Sequence, residues 1–200
     1  MASTASTAST IVVACEYRTG AIGHKGQLYH TMRADMRHFA ETTKGGVVIM
    51  GRKTWDSIPP HRRPLAGRFN VVLTRSGMMC ESDRVAVCGS MEQVTDVLAS
   101  PLAEPYCSKG VFVIGGGDIY RLFLESRLVK SIIATVFVPN ARVVVPTSSY
   151  DTTFPLDEVV ETYGFRRTNT RDGTLGRFLD SDERFSAYVL EFHASTDPLL

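Results

Sequence analysis

The alternation of apolar and polar stretches predicts an α/β domain that begins at Ile11. Short, continuous apolar runs, typical of strands covered on both faces, occur at residues 11–15, 47–50, 69–74, 85–88, 111–114 and 131–137. Helical spacing of apolar residues lies between these runs at 32–43, at 91–99 and up to about Leu124, and a short helix opens at 51–55. This order predicts a mixed, mostly parallel and twisted sheet that is flanked by helices on both faces.

The two ends of the chain follow different patterns. Residues 1–10 repeat Ala-Ser-Thr without charge or bulky apolar side chains, which predicts a disordered tail. Residues 138–155 look like a long loop with a short apolar run at 143–145. Segments 161–168 and 184–193 then indicate two strands with no helix between them, so we expect antiparallel edge strands at the C-terminus. No internal boundary is apparent, and residues 11–200 are predicted to form one domain.

Composition removes several classes of protein. There are 22 Lys and Arg residues against 21 Asp and Glu residues, a net charge of +1 that offers no field for nucleic acid or an anionic membrane. No apolar run approaches the ~20 residues needed to cross a bilayer. The four cysteines form no Cys-x-x-Cys pair, which favours reduced thiols in a cytoplasmic protein, and we expect no bound metal.

Two glycine-containing motifs directly follow predicted strands, where open α/β sheets bind ligands. In Gly51-Arg52-Lys53-Thr54, the start of a helix coincides with two cationic side chains and a hydroxyl, a combination that suits phosphate binding. The alternative is a helix start whose cationic side chains are simply solvated. Residues 114–120 (IGGGDIY) would let the backbone approach a ligand closely. They lack the dinucleotide fingerprint, however, so a simple tight turn is the alternative.

Candidate acid and cation positions complete the picture. Asp35 lies four residues before Phe39, on the predicted apolar face that also includes Met32, Met36 and Ala40. Desolvation there would raise the pKa of its carboxyl, although a solvent-exposed helix Asp is the more common case. Thr135 is a candidate hydrogen-bond partner, or simply a strand residue. The planar guanidinium of Arg68 could bind a carboxylate; the alternative is an ordinary surface arginine. Arg75 is a candidate partner for another anionic group.

Several of these segments closely resemble the dihydrofolate reductase family. They are residues 34–59 (ADMRHFAETTKGGVVIMGRKTWDSIP), 63–75 (RPLAGRFNVVLTR) and 112–120 (FVIGGGDIY). Residues 21–23 match the start of that family's mobile active-site loop, and residues 151–155 match a later loop that packs on it. The resemblance is collinear from about Ile11 to Pro155, and it implies one dihydrofolate reductase domain over 11–200.

The resemblance implies reduction of 7,8-dihydrofolate to tetrahydrofolate with NADPH as cofactor. Asp35 would hold the pterin, Thr135 would orient Asp35, and Arg68 would bind the glutamate α-carboxylate. Substrate contacts are implied for Val13, Cys15, Leu28, Asp35, Met36, Phe39, Ser57, Ile58, Leu65, Arg68, Ile114, Tyr120 and Thr135. Cofactor contacts are implied for Ala14, Ile22, Gly23, Gly51, Arg52, Lys53, Thr54, Leu73, Thr74, Arg75, Gly115, Gly116, Gly117, Asp118, Ile119 and Tyr120. The Gly115–Gly116 peptide is expected to be cis.

One segment departs from the family pattern. Where the family usually reads Leu-Pro-Trp, this chain reads Leu28-Tyr29-His30. His30 is still expected to act in catalysis, because it could reach a water near the acid and titrate near neutral pH. Two alternatives are open, and the first of them rests on this departure. One is a catalytically weakened folate- and NADPH-binding module with a regulatory, RNA- or protein-binding role. The other is a related reductase acting on a different pterin or a riboflavin precursor.

The resemblance also suggests partners and setting. The expected partners are dihydrofolate and antifolates, without membrane or nucleic acid, for a monomeric cytoplasmic enzyme of one-carbon metabolism.

Overall fold

The structure, a computed structural model, describes residues 8–78, 82–140, 149–168 and 175–195. Its strands are β1 (Ser9–Glu16), β2 (Ala21–His24), β3 (Gln27–Leu28), β4 (Val47–Gly51), β5 (Phe69–Leu73), β6 (Val85–Cys88), β7 (Val111–Val113), β8 (Val129–Pro139), β9 (Thr152–Thr153), β10 (Phe165–Arg167), β11 (Arg177–Ser181) and β12 (Phe185–Ala194). Its helices are α1 (Arg33–Thr43), α2 (Arg52–Ser57), α3 (Met91–Leu98), α4 (Glu104–Cys107), α5 (Gly117–Glu125) and α6 (Glu158–Glu161), and a 3-10 turn covers Pro60–Arg62.

A nine-stranded mixed sheet forms the body of the described chain. Its order is β10-β12-β8-β1-β7-β4-β5-β6, and β11 also pairs with β12. The strands from β8 to β6 along this order are mutually parallel, whereas β12 runs antiparallel to β8, β10 and β11. The prediction of a mostly parallel α/β sheet with antiparallel C-terminal strands is therefore confirmed.

The continuous apolar runs are explained by burial on both faces of the sheet. Every residue of β4 and of β5 is buried. One face packs against α3, α5 and α6 through residues such as Val94, Phe123 and Val159. The other packs against α1 and α2, where Phe39 and Trp55 contact Val48 and Met50 in a second cluster. Because neither face meets water, these strands need no polar alternation.

Helix α1 differs from its predicted orientation. Met32 is buried, but Met36 is 39% exposed and Ala40 is also exposed, while Asp35 is 3% exposed. Of the predicted inward face, Met32 is buried and Phe39 packs against the second cluster, whereas the prediction is wrong for Met36 and Ala40. The helix lies over the sheet with Asp35 inward, so the next residue, Met36, and Ala40 one turn later face outward.

The N-terminal boundary was predicted two residues too late. Ser9 and Thr10 belong to β1, because Ser9 donates its backbone N–H and its hydroxyl to the carbonyl of Leu128, and Thr10 shares a 2.7 Å hydrogen bond with Ser131. Side-chain hydroxyls thus extend a strand beyond its apolar run. Residues 1–7 of the predicted tail, and the apolar run 143–145, lie outside the described residues.

The C-terminal region contains more structure than its pattern indicates. The predicted strand 161–168 is divided between the end of α6 and the short β10, and β11 lies between the two predicted strands. Strand β11 is held partly by a ring contact between Phe178 and Tyr188 at 5.6 Å. The predicted loop 138–155 is also shorter, because β8 runs to Pro139 and β9 begins at Thr152.

Two further short elements flank the site. The glycine-rich segment after β1 forms the β2–β3 hairpin, and β9 adds to it as a third strand.

No helix in the described parts of the chain is long and apolar enough to cross a membrane.

Candidate active site

Asp35 is a buried carboxylate on α1. Its side chain faces the sheet, is hydrogen-bonded by Thr135 of β8, and is 3% exposed, as is Thr135. Burial raises the pKa of the Asp35 carboxyl, while the Thr135 hydrogen bond and the nearby His30 act in the opposite direction. Of the two interpretations of Asp35, the structure favours the desolvated one, and it brings together Asp35 and Thr135 as predicted.

The apolar side chains around this carboxylate come from four segments. Phe39 of α1, Ile58, Leu65 and Ile114 pack together at the edge of the second cluster, where each stays partly exposed. Met36 and Leu28 are more open, at 39% and 54% exposed. Ser57 is exposed and donates its hydroxyl to the carbonyl of Thr54. These partly exposed side chains form an apolar surface, termed the cleft, which includes Phe39, one helical turn after Asp35 on α1.

Arg68 lies at the opposite end of α1 from Asp35, bonded to Thr43, the last residue of the helix. Its guanidinium donates through Nη1 to the hydroxyl of Thr43 (3.0 Å) and through Nε to the carbonyl of Ala66 (3.1 Å). It also lies over the ring of Phe39, with 5.8 Å between the guanidinium carbon and the ring centroid. Partial burial lowers the pKa of Arg68. These contacts hold the positively charged guanidinium in one orientation beside apolar side chains, a geometry that suits binding of a carboxylate.

Backbone groups meet at the carboxyl ends of β4 and β7. Gly51 donates its N–H to the carbonyl of Gly115 at 2.7 Å, and the Gly115–Gly116 peptide is cis, as expected. Gly115 has a φ of +103°, and a Cβ there would lie 2.9 Å from the ring of Tyr120. Glycine is therefore required at position 115 by both conformation and space.

Next to this junction lies the row of predicted cofactor residues. Leu73 pairs with Gly51 across the parallel ladder, so the segments after β4 and β5 start side by side. Arg52 donates to Asp56 at 2.7 Å, and Lys53 and Arg75 are exposed. The remaining members of the row are Thr54, Thr74, Gly116, Gly117, Asp118 and Ile119, which follow the same strand ends or begin α5.

Some predicted contact residues lie in the core. Tyr120 is 4% exposed and donates its hydroxyl to the carbonyl of Val12 at 3.0 Å, so it occupies the core position that was the alternative. Cys15 is fully buried in the main cluster with Val13, and burial raises the pKa of its thiol. Ligand contacts by these three side chains stay predictions. Ala14 is partly buried, packed against the cluster around Phe137.

The loop that contains Ile22 and Gly23 is tied to the segment around β9, as the resemblance implied. Gly23 accepts the N–H of Asp151 at 3.0 Å, and the Asp151 carboxylate accepts the N–H of Lys25 at 2.7 Å. Deeper in, Phe154 donates its N–H to Gly20 at 2.8 Å. Ile22 is buried beneath this junction.

Sequence reasoning missed three polar residues that support the site. Asn70 is fully buried; its side chain accepts the N–H of Leu65 and donates to the carbonyls of Leu65 and Arg68. Thr43, also fully buried, orients Arg68. Glu16 ends β1 with no exposed surface, and its Oε2 accepts three hydrogen bonds from the turn at 18–19. A polar side chain within an apolar or loop segment is the sequence feature that could have pointed to each of these residues.

His30, the predicted catalytic histidine, sits between two phenylalanine rings. Its centroid is 4.9 Å from that of Phe137 and 4.7 Å from that of Phe185. Its Nε2 lies 2.8 Å from Oδ2 of Asp182. No sequence pattern points to this partner, which is 152 positions away.

The structure is that of an α/β protein with two glycine-containing strand ends joined by a backbone hydrogen bond and a buried carboxylate on α1. A sequence profile of the dihydrofolate reductase family matches residues 9–162. The chain therefore belongs to the dihydrofolate reductase family, and the resemblance seen in the sequence is confirmed.

Named relatives agree with this assignment. The chain is 47% identical over 127 residues to a bifunctional dihydrofolate reductase-thymidylate synthase of Daucus carota, covering 58% of this chain and 23% of the relative. It is 35% identical over 202 residues to bifunctional dihydrofolate reductase-thymidylate synthase 2 of Arabidopsis thaliana, and the match covers 90% of this chain and 34% of the relative. A dihydrofolate reductase of Mycobacterium tuberculosis is 42% identical over 106 residues, and the match covers 53% of this chain and 58% of the relative. The chain spans about a quarter to a third of the plant relatives' length.

Proposed function

We propose that this protein reduces 7,8-dihydrofolate to 5,6,7,8-tetrahydrofolate with NADPH, in support of one-carbon metabolism and thymidylate synthesis. The observation that carries the proposal is the buried Asp35 carboxylate, hydrogen-bonded by Thr135 in the first turn of α1, with Arg68 bonded to the last residue of the same helix and Phe39 between them. A pterin with an aminobenzoyl-glutamate tail has the same order of groups: a hydrogen-bonding heterocycle, an apolar ring and a carboxylate.

Asp35 would act on the pterin through hydrogen bonding and charge. Its carboxylate oxygens would accept hydrogen bonds from the exocyclic amino group and the adjacent ring N–H. A negative carboxylate next to the heterocycle raises the proton affinity of the ring nitrogen beside the carbon that is reduced. Because burial raises the pKa of Asp35, the site also retains a proton more readily than an exposed aspartate would. Thr135 would hold the carboxylate in place.

The side chains along the cleft would bind the rest of the substrate. Phe39, Ile58, Leu65 and Ile114 offer the partly exposed apolar surface that the ring system would bury. Arg68 would bind the α-carboxylate of the glutamate, since Thr43 and Phe39 already hold its guanidinium. A preordered guanidinium loses less conformational entropy on binding.

The residues at the strand ends fit NADPH. Glycines let the segments around this edge pack closely on one another: a Cβ at Gly51 would lie 2.9 Å from Ile119, and one at Gly117 would lie 3.1 Å from the carbonyl of Thr153. The first turn of α5 offers N–H groups without helical partners, which suits a pyrophosphate. Arg52 and Arg75 are the candidates for the 2′-phosphate. NADPH, when bound, supplies the hydride.

The remaining expectations complete the proposal. We propose contacts of Lys53, Thr54, Leu73 and Thr74 with the cofactor, together with those of Ile22 and Gly23 from the loop. Inhibition by antifolates, a monomeric state, a cytoplasmic location and the lack of a nucleic-acid partner also stay predictions.

Stopped-flow absorbance with purified protein tests the proposal. NADPH oxidation should depend on dihydrofolate, yield tetrahydrofolate in a 1:1 ratio, and be much slower with NADH. Dihydrobiopterin in place of dihydrofolate tests the alternative of a different pterin substrate. Tight binding of NADPH and methotrexate without turnover would contradict the proposal and favour the binding-module alternative.

A further inference from the structure

Thr43 carries a buried hydroxyl that joins α1 to Arg68. It is the last residue of the helix, has no exposed surface, and donates its hydroxyl to the carbonyl of Phe39, one turn earlier, at 2.8 Å. A threonine hydroxyl has a single hydrogen, so the lone pairs of Oγ1 remain for other donors. Nη1 of Arg68 donates to this oxygen at 3.0 Å. The hydroxyl therefore accepts from the guanidinium and does not compete with it for an anion.

The backbone on both sides of Arg68 is also held. The carbonyl of Gly67, a residue with φ of +69°, accepts the N–H of Gly45 at 2.9 Å. The carbonyl of Arg68 accepts from the side chain of Asn70 at 3.1 Å, and Asn70 is fully buried in β5. Because the backbone is tied on both sides, the side-chain torsions of Arg68 are its main remaining freedom. Thr43 restrains them at the tip of the side chain.

The bonds of Arg68 also determine which of its donors are open to a ligand. A guanidinium has five N–H groups. Nε donates to the carbonyl of Ala66 at 3.1 Å, and one N–H of Nη1 is taken by Thr43. Three N–H groups remain, one on Nη1 and two on Nη2, and they have no acceptor within the part of the chain that the structure describes. A carboxylate can accept two of them in parallel.

The contact of Arg68 with Phe39 does not replace the bond to Thr43. The guanidinium carbon lies 5.8 Å from the centroid of the Phe39 ring. Attraction between a cation and a ring face keeps the charge near the ring, but it does not decide which N–H groups point toward a ligand. A directional hydrogen bond does. The hydroxyl of Thr43 thus orients the open donors of a half-buried cation.

We infer that Thr43 is a positioning residue that acts through Arg68 and sets the preference of the site for ligands with a carboxylate tail. The inference rests on the proposed function, in which Arg68 binds the glutamate α-carboxylate. An ordered guanidinium gives up less rotamer freedom on binding, so loss of the Thr43 hydroxyl should weaken binding of the tail. The pterin end of the site should be unaffected, because Asp35 lies in the first turn of α1 and Thr43 at its last residue.

The test is calorimetric titration with two ligands: methotrexate, which has a glutamate tail, and a 2,4-diaminopteridine without one. Thr43→Val has nearly the shape of the wild type but no hydroxyl. It should lower the affinity for methotrexate by about 3–10-fold, the value of one hydrogen bond, and leave that for the pteridine unchanged. Thr43→Ser keeps the hydroxyl but loses a buried methyl group, so it should melt at a lower temperature and retain the wild-type ratio of the two affinities.

Thr95→Val is the matched control. Thr95 makes the same kind of bond to a carbonyl one turn earlier, that of Met91 at 3.1 Å, but it is an exposed residue of α3, on the opposite face of the sheet from α1. Its substitution should change neither affinity. In an Arg68→Leu background, Thr43→Val should no longer change the ratio of the two affinities, because the group it positions is gone.

The outcomes separate a positioning role from a structural one. An unchanged ratio in Thr43→Val, an equal loss for both ligands, or the same loss in the Arg68→Leu background would overturn the inference. If the wild type bound both ligands equally well, the assignment of Arg68 to the tail would fail, and this inference with it. A wild type that prefers methotrexate but does not oxidise NADPH with dihydrofolate would overturn the proposed reduction alone, because these titrations do not depend on turnover.

Discussion

The cofactor side and the substrate side of the candidate site are built from different parts of the chain. At the cofactor side, Gly51 and Gly115 join two strand ends through a 2.7 Å backbone hydrogen bond, and a Cβ at either glycine would meet the side chain of Ile119 or Tyr120. At the substrate side, Asp35, Thr135 and Arg68 contribute side chains from three distant segments, each held by other polar groups.

This difference explains how each side should respond to change. A backbone-lined surface depends on the conformation of a few residues, so substitutions there act through steric conflict. A side-chain-lined surface depends on charge and hydrogen bonding, so isosteric substitutions that leave the fold intact should still remove function. The predictions below follow from this contrast.

The largest effect is expected for Asp35→Asn. The amide cannot provide the negative charge that favours protonation of the pterin, so kcat/KM for dihydrofolate should fall by about 10²–10⁴-fold at neutral pH, the range typical of a lost acid–base group. Steady-state NADPH oxidation measures it. Asp96→Asn, at an exposed position of α3, is the matched control, and a loss of less than about tenfold at Asp35 would contradict the assigned role.

On the cofactor side, Gly115→Ala should weaken NADPH binding and the fold together. The added Cβ would meet the ring of Tyr120 at 2.9 Å in a conformation with φ of +103°, which we expect to cost about 2–4 kcal/mol of unfolding free energy. Urea denaturation and NADPH titration measure the two losses. Gly77→Ala, where no atom lies within 4 Å of the added Cβ, should stay within about 0.5 kcal/mol of wild type.

Arg68→Leu should affect substrates with a glutamate tail and spare those without it. Losing a charge-assisted hydrogen bond predicts about a 10–100-fold rise in KM for dihydrofolate. The kcat should change little, because Arg68 is bonded to the last residue of α1, whereas Asp35 lies in the first turn of that helix. If the slower reduction of dihydrobiopterin fell by the same factor, Arg68 would be acting on the fold instead of on the tail.

Glu16→Ala should loosen the loop that follows β1. The substitution removes the acceptor of two backbone N–H groups and the Thr19 hydroxyl. It also removes a buried charge whose Oε1 has no hydrogen-bond partner among the described residues, which offsets part of the loss. We expect a net destabilisation of about 1–2 kcal/mol, measured by urea denaturation with Glu125→Ala as an exposed control. If the variant were more stable than the wild type, burying the Glu16 carboxylate would cost more free energy than its three hydrogen bonds contribute.

The smallest effect is a gain of stability in Asp35→Asn. Because burial raises the pKa of Asp35 in the folded state above that in the unfolded state, its contribution is most favourable at low pH and is lost as pH rises through the folded pKa. The neutral amide avoids this loss. We expect Tm to rise by about 2–4 °C at pH 7–8, with no gain near pH 3.

The same contrast explains what the sequence could reveal. The cofactor side is encoded in short contiguous motifs around Gly51 and Gly115, because strand ends and glycine turns are local features. Asp35 was identified as a candidate from its apolar neighbours, although Met36 and Ala40 of the predicted inward face are exposed: an apolar residue left on the outside of a helix looks the same in sequence as one packed in the core. The contact between His30 and Asp182 could not be predicted, since it joins segments 152 residues apart through a strand, β11, whose pattern is weak.

The most direct test of the account is the titration of Asp35 itself. ¹³C NMR of the aspartate carboxyl carbons, with the Asp35 signal assigned by its absence in Asp35→Asn, gives the pKa of this group in the folded protein. The account predicts a pKa above the 3.8 of an unperturbed aspartate. A value at or below 3.8 would mean that the carboxylate is well solvated or strongly paired, and would contradict the desolvated acid on which the mechanism depends.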